Sequence, residues 1–319
     1  MKGNPRTNMR KMFEKKLGWP YLMPGVYDAC TALLAESAGF QITSVSGFCL
    51  SYTKLGKADV GLVTLKELSE TVSNIAKVSQ TPILVDADTG FGNAIGVMRT
   101  VEELIDSGAA ALFIEDQVAP KKCGHMSGKM VVSSEEFEGK MRAADKVRRE
   151  LAPDLLLVAR SDAKGAVGGS IKDLIERGKR YRDAGADIFF AEALTSADEI
   201  EQCGREVGLP LLYNMAGISP RLPLKELADY GVFLVALPAL VMQASIRGVM
   251  ALLQGIREKG EQYIVQFEKE LKGHPVDNIQ QFVGFSDIRK LEEEFLPSAE
   301  LLARYESSTS GYNLGAKKE

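Results

Sequence analysis

The chain has 319 residues, with 39 Lys and Arg against 43 Asp and Glu, and a net charge of −4. That length admits two domains of roughly 150 residues or one barrel of roughly 200–250, and 45% hydrophobic with 26% charged residues excludes a disordered chain. A slightly acidic chain lacks the basic face that nucleic acid demands, no apolar run reaches the roughly 18 residues of a membrane span, and a small anionic substrate stays open because a few local cations suffice to bind one.

The four cysteines, Cys30, Cys49, Cys123 and Cys203, show no C-x-x-C spacing. Neither a zinc site nor a disulfide framework is indicated, and a reducing cytoplasm is the expected setting. Residues 1–20 are basic but lack the apolar stretch of a secretory signal. Met9, Met12, Phe13 and Leu17 fall at helical spacing, which predicts a short helix covering the main domain.

From residue 21 to 257 a short apolar run, a polar residue, a loop and an amphipathic stretch recur. The runs are Leu22–Val26, Ile42–Val45, Pro82–Val85, Ala111–Ile114, Leu155–Ala159, Asp187–Phe190, Pro210–Tyr213 and Val232–Leu237. Short apolar runs without alternation read as strands buried on both faces. Thr64 with Glu67 makes a capping box, and Ser133 with Glu136 and Ser196 with Glu199 repeat that helix-start signal. Strands alternating with helices imply parallel βαβ units, and eight of them a closed (β/α)8 TIM barrel. An open doubly wound sheet is the runner-up, but no G-x-G-x-x-G follows the first strand.

The end of the chain departs from this rhythm. Val241–Leu271 reads as helical, and Phe282, Phe285, Ile288, Leu291 and Phe295 predict a further helix with an apolar face. Residues 258–306 thus form a C-terminal helical extension, for packing on a second subunit or as an added layer on the same chain. Residues 307–319 form a polar tail.

A barrel of this kind works at the carboxyl ends of its strands. The residues there are Tyr27-Asp28, Ser46-Gly47, Asp86-Ala87-Asp88-Thr89-Gly90, Glu115-Asp116, Arg160-Ser161-Asp162, Glu192 and Asn214. Charges set directly against buried runs are costly unless paired or metal-bound. Asp86, Asp88 and Glu115 would lie close together, repel and raise one another's pKa. A divalent cation relieves that repulsion, and an all-oxygen set favours Mg²⁺ or Mn²⁺ over zinc. The alternative is that these acids cap helices or pair with Arg160, and for Asp162 it stands level with function.

The segment 118–132 is long for a loop in a compact domain, which suggests a functional lid. It carries Lys121-Lys122-Cys123-Gly124-His125, with one of only two histidines and a thiol flanked by cations. Neighbouring positive charge lowers a thiol's pKa and suits it to proton exchange. Cys30 and Cys203 fall on helical segments as packing residues, and His274 sits in a solvated connection.

With Lys121-Lys122-Cys123-Gly124-His125, Pro24-Gly25-Val26-Tyr27-Asp28, Ser46-Gly47, Asp86-Ala87-Asp88-Thr89-Gly90, Ile114-Glu115-Asp116-Gln117 and Arg160-Ser161-Asp162, the sequence resembles the isocitrate lyase/phosphoenolpyruvate mutase superfamily. The match is to its short-chain lyase branch, which includes 2-methylisocitrate lyase, 2,3-dimethylmalate lyase and petal death protein. The resemblance implies a Mg²⁺-dependent barrel whose eighth helix is exchanged between subunits of a homodimer or homotetramer. It implies cleavage of a C–C bond in a small 2-hydroxy-dicarboxylate or -tricarboxylate. Carried over residue by residue, it makes Asp88 a direct metal ligand, with Asp59, Asp86 and Glu115 holding its waters. It puts a substrate carboxylate on the backbone of Ser46 and Gly47, with Gly124, Arg160, Glu192 and Asn214 completing the pocket. Cys123 on the closing lid would protonate the departing carbanion, which Lys121 and Arg160 would stabilise, with His125 in the same motif.

This chain departs from the branch in two places. Ser44 stands where a Tyr commonly precedes Ser-Gly, and Asn214-Met215-Ala216-Gly217-Ile218-Ser219-Pro220 replaces a segment bearing a carboxylate and a threonine. The second change points to a substrate with fewer polar substituents, such as an alkylated malate. The competing readings are oxaloacetate decarboxylation or hydrolysis on the same metal and Arg160, and a non-catalytic barrel serving as a binding module.

Overall fold

The computed structural model describes residues 4–16, 18–124, 126–274 and 276–295. Eight parallel strands close into a barrel in sequence order: β1 Tyr21–Val26, β2 Thr43–Val45, β3 Ile83–Asp86, β4 Ala111–Glu115, β5 Leu156–Ser161, β6 Ile188–Ala191, β7 Leu211–Asn214 and β8 Val232–Leu237. β1 pairs with both β2 and β8, so no edge is left for further pairing. Each strand coincides with one apolar run to within a residue or two at its ends.

Helices follow the strands because their start signals sit where the turns need them. Asp28 caps α2 (Ala29–Ser37) through Thr31, so this rim acid is a helix cap. The Thr64–Glu67 box opens α4 (Leu65–Val78), after a short helix α3 (Gly47–Leu50) that runs on into a π-helical turn. Asn93 caps α5 (Ala94–Asp106), Ser133 caps α6 (Ser134–Leu151), Ser170 caps α7 (Ile171–Asp183) and Ser196 caps α8 (Ala197–Val207). α9 (Leu224–Asp229) is a brief helix before β8.

Two apolar layers result. One fills the barrel, with Met23, Leu84, Phe113, Val158, Phe190 and Leu212 buried inside it. The other lies between the sheet and the helices, with Val72, Leu104, Phe137, Tyr181 and Ile200 among its members. The amino-terminal end of the barrel is stoppered by α1 (Pro5–Glu14). Met9 is fully buried there, and Phe13 stacks edge-on against Phe233 at 5.4 Å. Arg6 donates to the carbonyls of Ile105 and Ala109, and Arg10 pairs with Asp187 at 3.0 Å, tying the helix to the starts of several strands. Leu17, the last residue of the expected apolar stripe, lies outside the described residues.

The chain divides into two compact units, Met1–Ile246 and Arg247–Glu319. The expected single helix over 241–271 is two, α10 (Leu240–Lys259) and α11 (Glu261–Leu271), because Gly260 adopts φ 61 and ends the first. The expected helix through Phe282–Phe295 is likewise split, into α12 (Ile279–Phe282) and α13 (Phe285–Phe295) around Gly284. Met250, Leu253, Ile288, Leu291 and Phe295 are all exposed. Residues 296–319, which contain the expected polar tail, lie outside the described residues. No described helix is long and apolar enough to cross a membrane.

Truncating the stopper residue isolates the contribution of α1. Met9→Ala is expected to cost about 2–4 kcal/mol, as for other buried methionines cut to alanine. Urea unfolding of the barrel unit would read it. A loss below about 0.5 kcal/mol would mean that α1 contributes little to the core.

Candidate active site

The carboxyl ends of the strands assemble the polar rim because the register places like positions level. Glu115 lies opposite Arg160 across β4 and β5, and Ser161 opposite Ala191 across β5 and β6. Above them opens a cavity of about 290 Å³. That is at the small end of ligand sites, which run roughly 300–1,000 Å³, and it suits a metabolite of a few carboxylates. Ser46, Asp59, Asp86, Lys121, Cys123, Gly124, Arg160, Glu192 and Asn214 all line it.

Arg160 is the hub. Its Nε lies 2.9 Å from Asp162 and 3.2 Å from Glu115, and its Nη2 3.4 Å from Glu192. The guanidinium also stands 4.9 Å over the Phe190 ring and 5.8 Å over that of Phe113. Burial lowers its pKa, but Asp162, Glu115 and Glu192 outweigh that and hold it well above the ordinary arginine value. Asn214 Nδ2 donates to Glu192, and Glu192 accepts from the Ala193 amide. Asp116, next to Glu115, turns away from the cavity and accepts from Ser161, Tyr181 and Arg177. It braces the strand end and does not face substrate.

The expected cluster of Asp86, Asp88 and Glu115 is interleaved with donors. Lys121 Nζ lies 2.8 Å from Asp59 and 2.7 Å from Asp88. Asp86 accepts from the amides of Gly47 and Asp88, at 3.0 and 3.1 Å. The Gly47 N–H assigned to a substrate carboxylate is therefore on Asp86, and Lys121 meets the acids of the metal set. Lys122 points elsewhere and donates to the Gly128 carbonyl. Among the described residues no three His, Cys, Asp or Glu side chains converge closely enough to hold a metal ion by themselves.

The donor set nevertheless fits a divalent cation. Six buried carboxylates, Asp59, Asp86, Asp88, Glu115, Asp162 and Glu192, face three buried cations, Lys121, Lys129 and Arg160. Asp88 Oδ1 and both Glu115 oxygens are buried without a hydrogen bond of good geometry, although ion pairs lie close by. Burial pushes the Asp88 carboxyl up to about 6 despite Lys121, and pushes Glu115 well above the usual range despite Arg160. A further positive charge would relieve both. Mg²⁺ keeps several waters and takes only one or two protein carboxylates directly, so a loosely spaced all-oxygen set suits it.

The segment 118–132 closes over this floor. Its base is an antiparallel bridge of Gln117 with Val131, and the Gln117 side chain clasps the Lys122 backbone at 2.8 and 2.9 Å. Lys129, almost fully buried, pairs with Asp162 at 2.6 Å and also donates to the Gly124 carbonyl. Gly124 is required by close approach, since a Cβ there would meet Arg160 Nη2 and come within 2.9 Å of Glu192. This contact delivers Cys123 to the cavity wall. His125 lies outside the described residues. Cys203 is buried as expected, whereas Cys30, expected to pack, is exposed on α2. Cys49 is buried, donates to the Pro238 carbonyl and has its thiol pushed up to about 12 by burial.

Lys129 carried no signal in the sequence. A lone lysine between a glycine and a methionine reads as solvated, and only the fold shows its partners.

Comparison with known proteins agrees with this architecture. The family described as phosphoenolpyruvate phosphomutase matches residues 10–257. A 2-methylisocitrate lyase of Aeropyrum pernix is 41% identical over 312 residues, spanning 96% of each chain. A 2,3-dimethylmalate lyase of Eubacterium barkeri is 34% identical over 91% of this chain and 96% of its own. The solved structure of an oxaloacetate acetylhydrolase with the inhibitor 3,3-difluorooxalacetate superposes with a TM-score of 0.82 at 28% identity, over 93% of this chain and all of its own. The chain belongs to the phosphoenolpyruvate mutase/isocitrate lyase superfamily.

The glycine contact yields a prediction specific to geometry. Gly124→Ala drives a methyl group into Arg160 and Glu192, and kcat/KM is expected to fall about 10²-fold, the usual penalty for about 1 Å of misplacement. The thermal midpoint should hold, since the added methyl lies at the cavity. Full activity in Gly124→Ala would show that the loop does not need this close approach.

Proposed function

We propose that the protein is a divalent-metal-dependent carbon–carbon lyase. It cleaves a 2-hydroxy-dicarboxylate or -tricarboxylate, of the 2,3-dimethylmalate or 2-methylisocitrate kind, into a 2-oxo acid such as pyruvate and a carboxylic acid. The observation that carries this reading is the placement of a thiol, Cys123, on the wall of a cavity also lined by Arg160 and by the carboxylates of Asp59, Asp86 and Glu192. Kinship with lyases of this chemistry supports it.

Asp88 is the residue to hold Mg²⁺, or Mn²⁺ in its place, directly, with Asp59, Asp86 and Glu115 on its waters. The ion would supply an acidified substrate hydroxyl and a positive charge for the adjoining carboxylate. The remaining work falls to the chain. The hydroxyl proton passes to a carboxylate of the rim. As the C2–C3 bond breaks, the hydroxyl oxygen becomes the 2-oxo group and the bonding pair passes to C3, spread into its carboxylate. Arg160, its charge fixed by three acids, stands where that carboxylate gathers electron density. Asn214 and Glu192 set the orientation of that end. Cys123 Sγ gives its proton to C3 and remains as thiolate, to be reprotonated from water once products depart. The segment 118–132 excludes water from the carbanion until that transfer is complete. A proton-donating thiol must stay reduced, which suits the cytoplasm.

We also infer a homodimer or homotetramer in which α10, the eighth barrel helix, is exchanged between subunits. The exposed apolar residues Val249, Met250 and Leu253 on α10 support the exchange, and Ile288, Leu291 and Phe295 on α13 support an intersubunit role for residues 258–306. Light scattering should give two or four times the 34.7 kDa chain mass. A monomer at micromolar concentration would refute the exchange.

The deciding experiment is a panel of 2-hydroxydiacids and 2-hydroxytriacids with a 2-oxoacid readout and added Mg²⁺, with oxaloacetate included. Turnover is expected, and Cys123→Ala or Cys123→Ser should lower it about 10²–10⁴-fold, as for loss of a general acid. Full activity in Cys123→Ala would remove the thiol from the mechanism. Turnover of oxaloacetate alone would select the hydrolase or decarboxylase reading.

A further inference from the structure

We infer that Arg221 is the specificity-determining residue of this cavity and receives a third carboxylate, carried on the substituent of the substrate. The preferred substrate is then a 2-hydroxy-tricarboxylate and not an alkylated malate. This inference rests on the lyase reading above and narrows it.

Three cations line the cavity: Lys121, Arg160 and Arg221. The first two are already committed, Lys121 to Asp59 and Asp88, and Arg160 to Glu115, Asp162 and Glu192. Arg221 differs. It donates to the Ser219 carbonyl, and among the described residues it makes no ion pair. A guanidinium lining an anion site without a counter-ion is a receptor in waiting, because its fork of donors matches a carboxylate.

The turn that carries Arg221 is held in place. Tyr213 at the end of β7 donates to the Pro220 carbonyl at 2.6 Å, and the Ser219 amide donates to Ala216 at 3.1 Å. Such anchoring lowers the ordering cost of binding. Arg221 is exposed to solvent, and the cavity is also lined by the apolar Phe48, Met215, Leu237 and Leu240 and by Gln243. The apolar part of this lining suits the methylene stem of a substituent, and Arg221 and Gln243 supply donors for its carboxylate. The missing acid in the segment after Asn214 suggested a less polar pocket when read alone. In the fold its effect is the opposite, since no acid there neutralises Arg221.

A rim arginine that merely attracts anions gives a different pattern. Steering raises the on-rate of every anionic substrate alike and fades with salt. A receptor for one carboxylate discriminates between substrates that differ by it. The test therefore compares a 2-hydroxytriacid with a 2-hydroxydiacid bearing an alkyl group of similar size, in the Mg²⁺-loaded enzyme. Wild type should prefer the triacid, and Arg221→Met should lower the ratio of the two kcat/KM values by about 10–100-fold, with partial recovery in Arg221→Lys. An unchanged ratio, or equal losses that vanish at high salt, overturns the assignment. Calorimetric binding of the uncleavable triacid tricarballylate against succinate, with Mg²⁺ present, separates this inference from the lyase reading. A tricarballylate preference that is lost in Arg221→Met while no substrate turns over would keep Arg221 as the receptor and reject the lyase. Turnover with no such preference would do the reverse.

Discussion

The structure turns on the charge balance of a buried rim. Carboxylates cluster at the ends of β3 to β6, and each would be costly in an apolar surround without compensation. Arg160 compensates three of them at once. Removing one partner of such a set leaves uncompensated buried charge, which costs far more than the set contributes when whole. The site is therefore held in shape by an electrostatic requirement, and the barrel register that sets Glu115 opposite Arg160 is what meets it.

Much of this was legible in the sequence, and the reason is physical. A strand buried on both faces must be apolar throughout, so eight runs gave eight strands, with ends displaced by a residue or two. A helix start needs acceptors for its free amides, so Thr64, Ser133 and Ser196 announced α4, α6 and α8. Polar groups set against buried runs must be paired or bound, so Asp86, Arg160, Glu192 and Asn214 could be expected at the rim, where they line the cavity.

What was illegible depends on contacts between distant segments. Nothing local shows that Lys121 lies between Asp59 and Asp88, since those residues are far apart in the chain. Asp28 looked like a rim acid because its capping role requires knowing that α2 begins at Ala29. Gly260 sits inside an amphipathic pattern that reads through it, and only its left-handed backbone reveals the break between α10 and α11. Periodicity records which face is apolar, and it is blind to one residue in an unusual conformation.

The loop above the rim belongs to the same balance. Asp162 has two cationic partners, Arg160 from its own strand end and Lys129 from the loop. Together they hold its carboxyl below the usual aspartate range despite complete burial. Lifting the loop would withdraw Lys129 and leave Arg160 to serve Asp162, Glu115 and Glu192 alone. The Gly124 carbonyl rides on the same lysine, so the position of Cys123 and the charge of the floor are set by one contact. On the lyase reading proposed above, a proton donor that must reach a transient carbanion gains from this linkage. The arrangement that brings the thiol down also completes the compensation of the acids that fix Arg160, so the proposed acid and the proposed anion receptor would be in place together.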